Sequence, residues 1–246
     1  MTAAIAEDRW QEAQHAEAGF WEGATLGVLL RVCGDLHAQM DKLPGERHRA
    51  LFSGKRVLEI GCGPLGLALP CFSAAAGEIA DLVKLDPLPR LNLDSLPAAQ
   101  DPQAEPFLSW VAARAGLGRY LQASGEAFAE RASFDTVVSH NVLDHVRDPG
   151  AILDNAYAAL KPGGSLLLWV DCMSLLGRLR FELLVRRQRP DSILVKAHPF
   201  TFLPGQIAAL LRGSGFTEIE IQGAPRGLRR LVARQTRPLF IARKPA

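Results

Sequence analysis

The sequence feature that most constrains the fold is a glycine-rich turn directly after a short apolar segment. Residues Arg56–Ile60 (RVLEI) have the composition of a buried parallel strand, and residues 61–66 (GCGPLG) follow with the spacing G-x-G-x-x-G. Glycine lets a ligand approach the backbone where a side chain would collide. A strand that enters such a turn is typical of open α/β sheets that bind nucleotide-containing ligands.

Apolar segments alternate with helical windows along the chain after this turn. The predicted strands are Leu82–Asp86, Tyr120–Ala123, Phe134–Ser139 and Ser165–Val170. The predicted helices are Leu67–Ala76, Phe107–Ala115, Gly125–Arg131 and Pro149–Leu160. This alternation predicts a doubly wound α/β fold with a mostly parallel sheet and helices on both faces.

Both ends of the chain depart from the alternation. Residues 8–43 predict two helices, and a basic, turn-forming stretch to Gly54 leads into the first strand. An Arg-, Leu- and Phe-rich segment, 171–203, precedes a predicted helix at Pro204–Arg212. The last two predicted strands, Phe216–Ile221 and Leu239–Arg243, have no crossover helix between them and should pair antiparallel. The sheet is therefore expected to have seven strands.

The length of 246 residues fits one domain with a well-buried core. Within it we expect four parts: an N-terminal helical lid (1–54), a cofactor-binding core (55–170), an insertion that covers the substrate (171–203), and a C-terminal helix and strand pair (204–246).

Composition excludes several classes of protein. A hydrophobic fraction of 48% and a charged fraction of 22% are those of a folded globular chain. The longest strongly apolar segment, around residues 166–170, is far shorter than the roughly 18 residues that a membrane span needs. The N-terminus has no apolar leader, and the four cysteines form no CxxC pair. We expect a cytoplasmic protein with no membrane partner.

The net charge of +2 conceals an asymmetry between the two parts of the chain. Residues 1–150 carry 13 Lys and Arg against 20 Asp and Glu, whereas residues 151–246 carry 15 against 6. The late basic residues are mainly Arg178, Arg180, Arg186, Arg187, Arg189, Arg226, Arg229, Arg230, Arg234 and Arg237. They would attract an anionic small molecule, or they are solvated surface side chains. Nucleic acid is not the expected partner, because no RNP-like motif or zinc knuckle is present.

Two acidic residues indicate the kind of ligand. Asp86 follows Gly66 by 20 residues and ends the second predicted strand, where a carboxylate can accept hydrogen bonds from a ribose diol. These features fit either a dinucleotide or S-adenosylmethionine. Glu59, two residues before Gly61, suits a cationic amino group and has no evident use beside a pyrophosphate. S-adenosylmethionine is favoured, and an NAD-dependent oxidoreductase is the alternative.

With these residues, the chain resembles the class I S-adenosylmethionine-dependent methyltransferases over most of residues 55–246, and a Rossmann-like fold is implied. The resemblance rests on an E-x-G-x-G motif and on four further segments: KLDPL (84–88), Gly125-Glu126, FDTVVSHNVLDHV (134–146) and LKPGGS (160–165). The residues expected to bind the cofactor are Glu59, Gly61, Cys62, Gly63, Gly66, Asp86, Pro87, Gly125, Glu126, His140 and Asn141.

The resemblance implies methyl transfer to an oxygen, nitrogen or carbon of a small-molecule acceptor. If a general base is used, His145 is the first candidate, because it follows the fourth strand, and His198 in the insertion is the second. The aromatic residues expected to line the acceptor site are Trp21, Phe181, Phe200 and Phe202. Two alternatives remain: a non-catalytic protein that binds a nucleoside cofactor, and a nucleic-acid methyltransferase.

The segment that contains Asn141, Asp144 and His145 also resembles the metal-associated segment of ubiquinone-type O-methyltransferases. That segment has two carboxylates and a histidine at these places. Here Asn141 replaces the first carboxylate. Because Mg²⁺ gains from carboxylate charge, no metal requirement is expected.

Overall fold

The computed structural model describes residues 4–225, 227, 229–232 and 235–246, without the side chains of residues 229 and 230. Its centre is a single mixed sheet. Its seven strands are β1 (Arg56–Ile60), β2 (Asp81–Asp86), β3 (Arg119–Gln122), β4 (Phe134–His140), β5 (Leu160–Trp169), β6 (Thr217–Gln222) and β7 (Leu239–Arg243). The order is β3-β2-β1-β4-β5-β7-β6, and only β7 runs antiparallel to its neighbours. The predicted fold class is confirmed.

The helices surround this sheet. They are α1 (Glu7–Glu22), α2 (Leu26–Met40), α3 (Gly45–Phe52), α4 (Glu105–Ala115), α5 (Pro149–Ala159), α6 (Leu175–Arg180), α7 (Arg186–Gln188), α8 (Ile193–Lys196), α9 (Pro204–Gly213) and α10 (Arg229–Val232). A π-helical turn, Phe181–Val185, joins α6 to α7. Short 3-10 turns occur at Leu69–Phe72, Ala76–Glu78, Leu93–Ser95, Pro97–Gln100 and Gly125–Ala127.

The core lies on both faces of the sheet, because successive residues of a strand point in opposite directions. Val57 of β1 is buried in the cluster with α2 and α4, whereas the next residue, Leu58, is buried in the cluster with α5 and α9. Parallel strands covered on both faces are expected to be nearly continuously apolar. This explains why β1 and β4 are recognisable from the sequence alone.

The predicted helix at Leu67–Ala76 is wrong, because local groups compete for its backbone. The Leu69 N–H donates to Glu59 Oε1 at 3.1 Å, and Pro70 has no N–H to donate. Only the 3-10 turn Leu69–Phe72 forms there.

The predicted helix at Gly125–Arg131 is also wrong, and a single 3-10 turn takes its place. Asn155 Nδ2 donates to the carbonyl oxygens of Gly125 and Glu126 at 3.0 and 2.7 Å, and this side chain competes with the backbone N–H groups that would continue a helix. Conversely, the stretch before β1 was predicted to form turns, but it contains the helix α3. This helix buries His48 and Phe52, which are spaced four apart on one side.

Helix α1 crosses over the carboxyl ends of the strands and is attached to two separate segments. The Arg9 guanidinium donates to the carbonyl oxygens of Val195 and Lys196 at 2.6 and 2.7 Å. Gln14 Nε2 donates to the His145 carbonyl oxygen at 3.3 Å. Thus α1 joins the loop after β4 to the inserted segment. Among the described residues, no helix has the length and apolarity to cross a bilayer.

Candidate functional site

A cavity of about 560 Å³ opens at the carboxyl ends of β1, β2 and β4. This is where ligands bind in open α/β sheets, since the strand order reverses direction there. Helix α1, α2 and the inserted segment close its other sides. Of the residues expected to bind a cofactor, those that line the cavity are Glu59, Gly61, Cys62, Gly63, Asp86, Pro87, Gly125, Glu126, His140 and Asn141.

The glycine turn forms one wall, and its backbone conformation requires glycine. Gly61 has φ of 79°, and a Cβ there would lie 2.2 Å from Val142 Cγ2. The N–H groups of Gly61 and Cys62 donate to the Leu85 carbonyl oxygen at 2.7 and 3.2 Å, which ties the turn to β2. Burial raises the pKa of the Cys62 thiol, so this side chain is a neutral wall group rather than a nucleophile.

Glu59 is the most unusual charged group in the cavity wall. It is 1% exposed, and its Oε1 accepts only the Leu69 N–H, while Oε2 has no hydrogen-bond partner among the described residues. Burial raises the pKa of this carboxyl to about 8. The protonated form is therefore favoured near neutral pH while Oε2 has no donor, and a cationic N–H donor in the cavity would stabilise the ionised form.

Asp86 connects the end of β2 to the glycine turn. Its Oδ2 accepts the Gly63 N–H at 2.8 Å, and its Oδ1 accepts the Leu88 N–H at 3.0 Å. Burial raises the pKa of the Asp86 carboxyl to about 6. Each carboxylate oxygen has a second lone pair, so the group can accept hydroxyl hydrogen bonds while it holds the turn.

Gly125 and Glu126 form the wall after β3. A Cβ at Gly125 would lie 2.6 Å from Ile152 Cδ1, so this position packs closely against α5. Glu126 Oε1 accepts the Arg147 N–H at 2.9 Å, and Oε2 is hydrogen-bonded to the Ser124 hydroxyl. The Glu126 side chain therefore joins this turn to the loop after β4.

Gly66 lies outside the set of residues that line the cavity, in contrast to its predicted cofactor contact. It has φ of 67°, and its carbonyl oxygen accepts a hydrogen bond from the buried Lys84 Nζ at 3.1 Å. Lys84 also donates to the Ala115 carbonyl oxygen at 2.7 Å, at the end of α4. Gly66 shapes the end of the turn and does not face the ligand space.

His140 and Asn141 end β4 at the centre of the cavity. Asn141 adopts φ of 56°, a left-handed conformation that asparagine tolerates better than most residues, and its Oδ1 has no hydrogen-bond partner among the described residues. Burial, together with the Arg237 charge, lowers the pKa of His140 to about 4. Both side chains are therefore neutral polar groups near neutral pH.

Asp144, His145 and His198 form a compact cluster, and the two histidines line the same cavity. The two imidazole centroids are 4.4 Å apart, and Asp144 Oδ1 and Oδ2 lie 3.7 Å from His145 Nε2 and His198 Nε2, respectively. Glu17 Oε2 of α1 lies 3.7 Å from His145 Nδ1. The sequence predicted both histidines, and the fold brings them together from segments more than 50 residues apart.

The environment separates the pKa values of these two histidines. Burial lowers the pKa of His145, but the charges of Asp144 and Glu17 outweigh it and the net shift is upward. Burial and the neighbouring His145 charge lower the pKa of His198. His198 is thus the imidazole that stays neutral and able to accept a proton.

The same three side chains are the one group of potential metal ligands found among the described residues, with ligand atoms all within 4.8 Å of one another. Two imidazoles and one carboxylate do not fit Mg²⁺, which prefers oxygen ligands. Asn141 adds no carboxylate. The donor chemistry therefore gives no support to a magnesium site.

The aromatic residues predicted to line the acceptor site lie in different places. Trp21 lines the cavity, and a Cβ on Gly63 would lie 3.2 Å from its Cζ2. Phe181 and Phe200 instead line a neighbouring cavity of about 30 Å³. Phe202 is 1% exposed in the core, because its backbone pairs with Cys172 next to β5.

Several residues that line the cavity were not predicted from the sequence. Trp10, Gln14 and Glu17 share one face of α1 with the predicted Trp21, and their spacing of four, three and four is a helical signal. The inserted segment supplies Ile193, Leu194 and Ala197 in place of its phenylalanines. Arg237, which pairs with Asp35 and Asp171, also lines the cavity, whereas the side chains of Arg226, Arg229, Arg230 and Arg234 lie outside the described residues.

Comparison with known proteins identifies relatives. A family model described as "Methyltransferase domain" matches residues 36–221. The mitochondrial ubiquinone biosynthesis O-methyltransferase of Schizosaccharomyces pombe is 32% identical over 133 residues, which is 54% of this chain and 44% of that protein. The ubiquinone biosynthesis O-methyltransferase of Paracidovorax citrulli is 36% identical over 117 residues, which is 47% of this chain and 43% of that protein. The match spans less than half the length of each curated relative.

Among solved structures, the phosphoethanolamine N-methyltransferase 2 of Haemonchus contortus, in complex with phosphomonomethylethanolamine and S-adenosylhomocysteine, has the same fold. The superposition has a TM-score of 0.54 at 18% identity and covers 86% of this chain and 53% of that one.

Proposed function

The chain belongs to the methyltransferase domain family, in the class that depends on S-adenosylmethionine, and from this premise we propose that it methylates a small-molecule acceptor. The observation that carries the proposal is the buried Glu59 carboxylate, whose Oε2 has no donor among the described residues and which lines the same cavity as the glycine turn. The residues fit the cofactor, because its cationic amino group is the kind of donor that Glu59 lacks.

The cofactor-binding residues have distinct proposed roles. Glu59 binds the amino group, and Asp86 accepts hydrogen bonds from the ribose hydroxyls. The turn at Gly61 and Gly63 lets the ligand approach the backbone, and the segment Ser124–Glu126 lies along the base. When bound, the cofactor supplies a methyl group already activated on a sulfonium. The chain therefore mainly positions the acceptor and excludes water.

On the acceptor side, an oxygen nucleophile is the favoured substrate group. Two observations support it: the curated relatives are named O-methyltransferases, and the cluster of Asp144, His145 and His198 can remove a hydroxyl proton. His198 accepts the proton, because its pKa is lowered and it is neutral. His145 lies between Asp144 and Glu17 and balances the charge of Asp144. No metal is needed in this scheme.

The parts of the chain also have proposed roles. Residues 55–170 bind the cofactor, while 1–54 and 171–203 enclose the acceptor, and 204–246 complete the sheet. The contacts of Arg9 with the carbonyl oxygens of Val195 and Lys196 support this division, because they close the cavity between lid and insertion.

Calorimetric titration with S-adenosylhomocysteine tests the cofactor assignment. Wild-type protein should bind it, and Glu59→Gln should bind at least tenfold more weakly, since a charge-assisted hydrogen bond contributes about 1.5–3 kcal/mol. Glu78→Gln is the matched control, because Glu78 is exposed and precedes β2 at the opposite end of the strands. Binding of NAD in place of S-adenosylhomocysteine would support the oxidoreductase alternative and refute the proposal.

Transfer of a labelled methyl group to a panel of hydroxylated metabolites tests the acceptor side. We expect His198→Ala to slow turnover roughly 100-fold or more with nearly unchanged affinity for S-adenosylhomocysteine, because only proton removal is lost. Turnover should persist in EDTA, and the exposed His37→Ala control should match wild type. An enzyme that loses activity in EDTA and regains it with Mg²⁺ would contradict the metal-free scheme. Binding without methylation of any acceptor, nucleic acid included, would favour the non-catalytic alternative.

A further inference from the structure

Lys84 is a buried charged residue that the proposed reaction does not use. It lies within β2, and none of its surface is exposed. A lysine is rarely buried to this extent, because its ammonium group loses its hydration and needs acceptors or opposite charge in return. Lys84 is not among the residues that line the cavity, so it affects a bound ligand only through other groups.

Lys84 and Glu59 are neighbours on one face of the sheet. β1 and β2 run parallel, and Lys84 is the register partner of Glu59, so their side chains point to the same side. Both side chains hold the segment that follows the glycine turn. Lys84 Nζ donates to the Gly66 carbonyl oxygen at 3.1 Å, and Glu59 Oε1 accepts the Leu69 N–H at 3.1 Å. A cation and an anion therefore fix this segment together.

The surroundings of Lys84 support its charge and transmit it to Glu59. Nζ also donates at 2.7 Å to the carbonyl oxygen of Ala115, the last residue of α4, where the helix dipole favours a cation. Burial lowers the pKa of the Lys84 ammonium, and the charge of Glu59 opposes that effect. In Glu59, burial raises the pKa to about 8, against the opposing effects of the Leu69 N–H and the Lys84 charge.

Five other titratable or charged groups surround this pair, and they are Cys62, Cys71, Asp86, Arg90 and Tyr120. Burial raises the pKa of both thiols and of the Tyr120 hydroxyl, so these three groups stay protonated near neutral pH. An arginine stays charged throughout. The Asp86 carboxyl, with a pKa of about 6, ionises before that of Glu59. Between pH 7 and 8.5, Glu59 is therefore the member of this group that mainly changes its charge.

We propose that Lys84 is a positioning residue for the cofactor: its buried ammonium holds the end of the glycine turn and stabilises the ionised Glu59 that binds the amino group. This inference rests on the role of Glu59 in the proposed function. Without Lys84, Glu59 would stay protonated to higher pH and present a neutral group to the cationic amino group of the ligand. With Lys84 and ligand in place, the Glu59 carboxylate has a cationic neighbour behind the cavity wall and another inside the cavity.

The pH dependence of S-adenosylhomocysteine binding, measured by calorimetry, tests this role. Lys84→Met removes the charge with little change in side-chain length. If the pKa of Glu59 then rises by about one, the variant should bind about tenfold more weakly than wild type at pH 7 and only about threefold more weakly at pH 8.5. The loss shrinks as pH rises, because Glu59 then ionises in both proteins. In the Glu59→Gln background, Lys84→Met should weaken binding by a factor that does not depend on pH.

Two further variants separate charge from structure. Lys84→Gln has an uncharged amide that can donate to the Gly66 carbonyl oxygen, and it should show the same pH-dependent loss as Lys84→Met. Lys55→Met is the matched control, because Lys55 directly precedes β1 at the opposite end of the strands. It should bind like wild type at both pH values. Carbon-13 NMR of the Lys84 side chain in wild type, assigned through its backbone, needs no variant and should show a charged ammonium at pH 7.

The proposal has clear contrary outcomes. A loss of affinity in Lys84→Met that is equal at pH 7 and 8.5 would give Lys84 a structural role only and overturn the proposal. Wild-type affinity in this variant, or a neutral Lys84 in wild type at pH 7, would overturn it as well. Unchanged binding by Glu59→Gln alone would instead refute the proposed role of Glu59, so the two failures are distinguishable.

Discussion

At the scale of single residues, the candidate site depends on two acidic side chains that the fold buries, Glu59 and Asp86. Glu59 is buried with one oxygen lacking a donor, whereas Asp86 is buried but accepts two backbone N–H groups. Burial raises the pKa of both carboxyl groups, and hydrogen bonds from backbone N–H groups lower it. Glu59 accepts fewer such bonds than Asp86, and its pKa is raised to about 8. Residues that destabilise the ligand-free protein are expected at ligand-binding sites.

This predicts a specific pH dependence of stability without cofactor. The folded protein binds an extra proton at Glu59 between its ordinary pKa of 4.5 and about 8, so the free energy of unfolding falls as pH rises through this window. Glu59→Gln removes this contribution, and its melting temperature should fall less than that of wild type between pH 5 and about pH 8. Asp86 titrates in both proteins, so the difference isolates Glu59.

Differential scanning fluorimetry across that range, with and without saturating S-adenosylhomocysteine, provides the measurement. The ligand should reduce the difference between the two proteins, because it supplies the missing donor. Parallel melting curves for wild type and Glu59→Gln at every pH would show that Glu59 does not titrate in this window.

The sequence indicated some of these residues and not others, for physical reasons. Glu59, Asp86 and His145 lie in or shortly after strands that the local pattern predicts, whereas His198 lies in the insertion. Arg237 and Asp35 form an ion pair across 202 residues of sequence, and nothing local to either one indicates it. The lack of a donor at Glu59 Oε2 likewise depends on the whole cavity wall and is visible only in three dimensions.

At the scale of elements, strands were easier to predict than helices. The inner strands are recognisable as nearly continuous apolar segments, because both of their faces are buried. The two wrong helices failed where side chains take backbone hydrogen bonds, at Glu59 with Leu69 and at Asn155 with the turn Gly125–Ala127. Both exceptions adjoin the cavity, so departures from local propensity coincide with the candidate site.

Helix α1 offers a prediction at this scale. Arg9→Ala removes the hydrogen bonds to the carbonyl oxygens of Val195 and Lys196 that join α1 to the insertion. Loss of these two charge-assisted bonds, each contributing about 1.5 kcal/mol or more, should speed dissociation of S-adenosylhomocysteine at least tenfold by opening the cavity. Stopped-flow tryptophan fluorescence, to which Trp10 and Trp21 in the cavity wall contribute, gives the rate. Arg49→Ala, on the exposed side of α3, should leave it unchanged, and an unchanged rate in Arg9→Ala would argue against a lid.

At the scale of the whole molecule, the strand order brings the residues of the candidate site together. The order β3-β2-β1-β4-β5-β7-β6 directs the ends of β1, β2 and β4 to the same edge, where residues from α1 to Arg237 meet around one cavity. The sheet follows from the sequence pattern and from the resemblance to methyltransferases. The cover does not, because its contacts join segments that share no local pattern, such as Glu17 of α1 with His145.

A crystal structure of the protein with S-adenosylhomocysteine tests the cofactor site most directly. We expect the ligand in the cavity at the strand ends, with its amino group hydrogen-bonded to Glu59 Oε2 and its ribose hydroxyls to Asp86. A ligand bound elsewhere, or a well-ordered cavity that stays empty after exposure to saturating ligand, would contradict it.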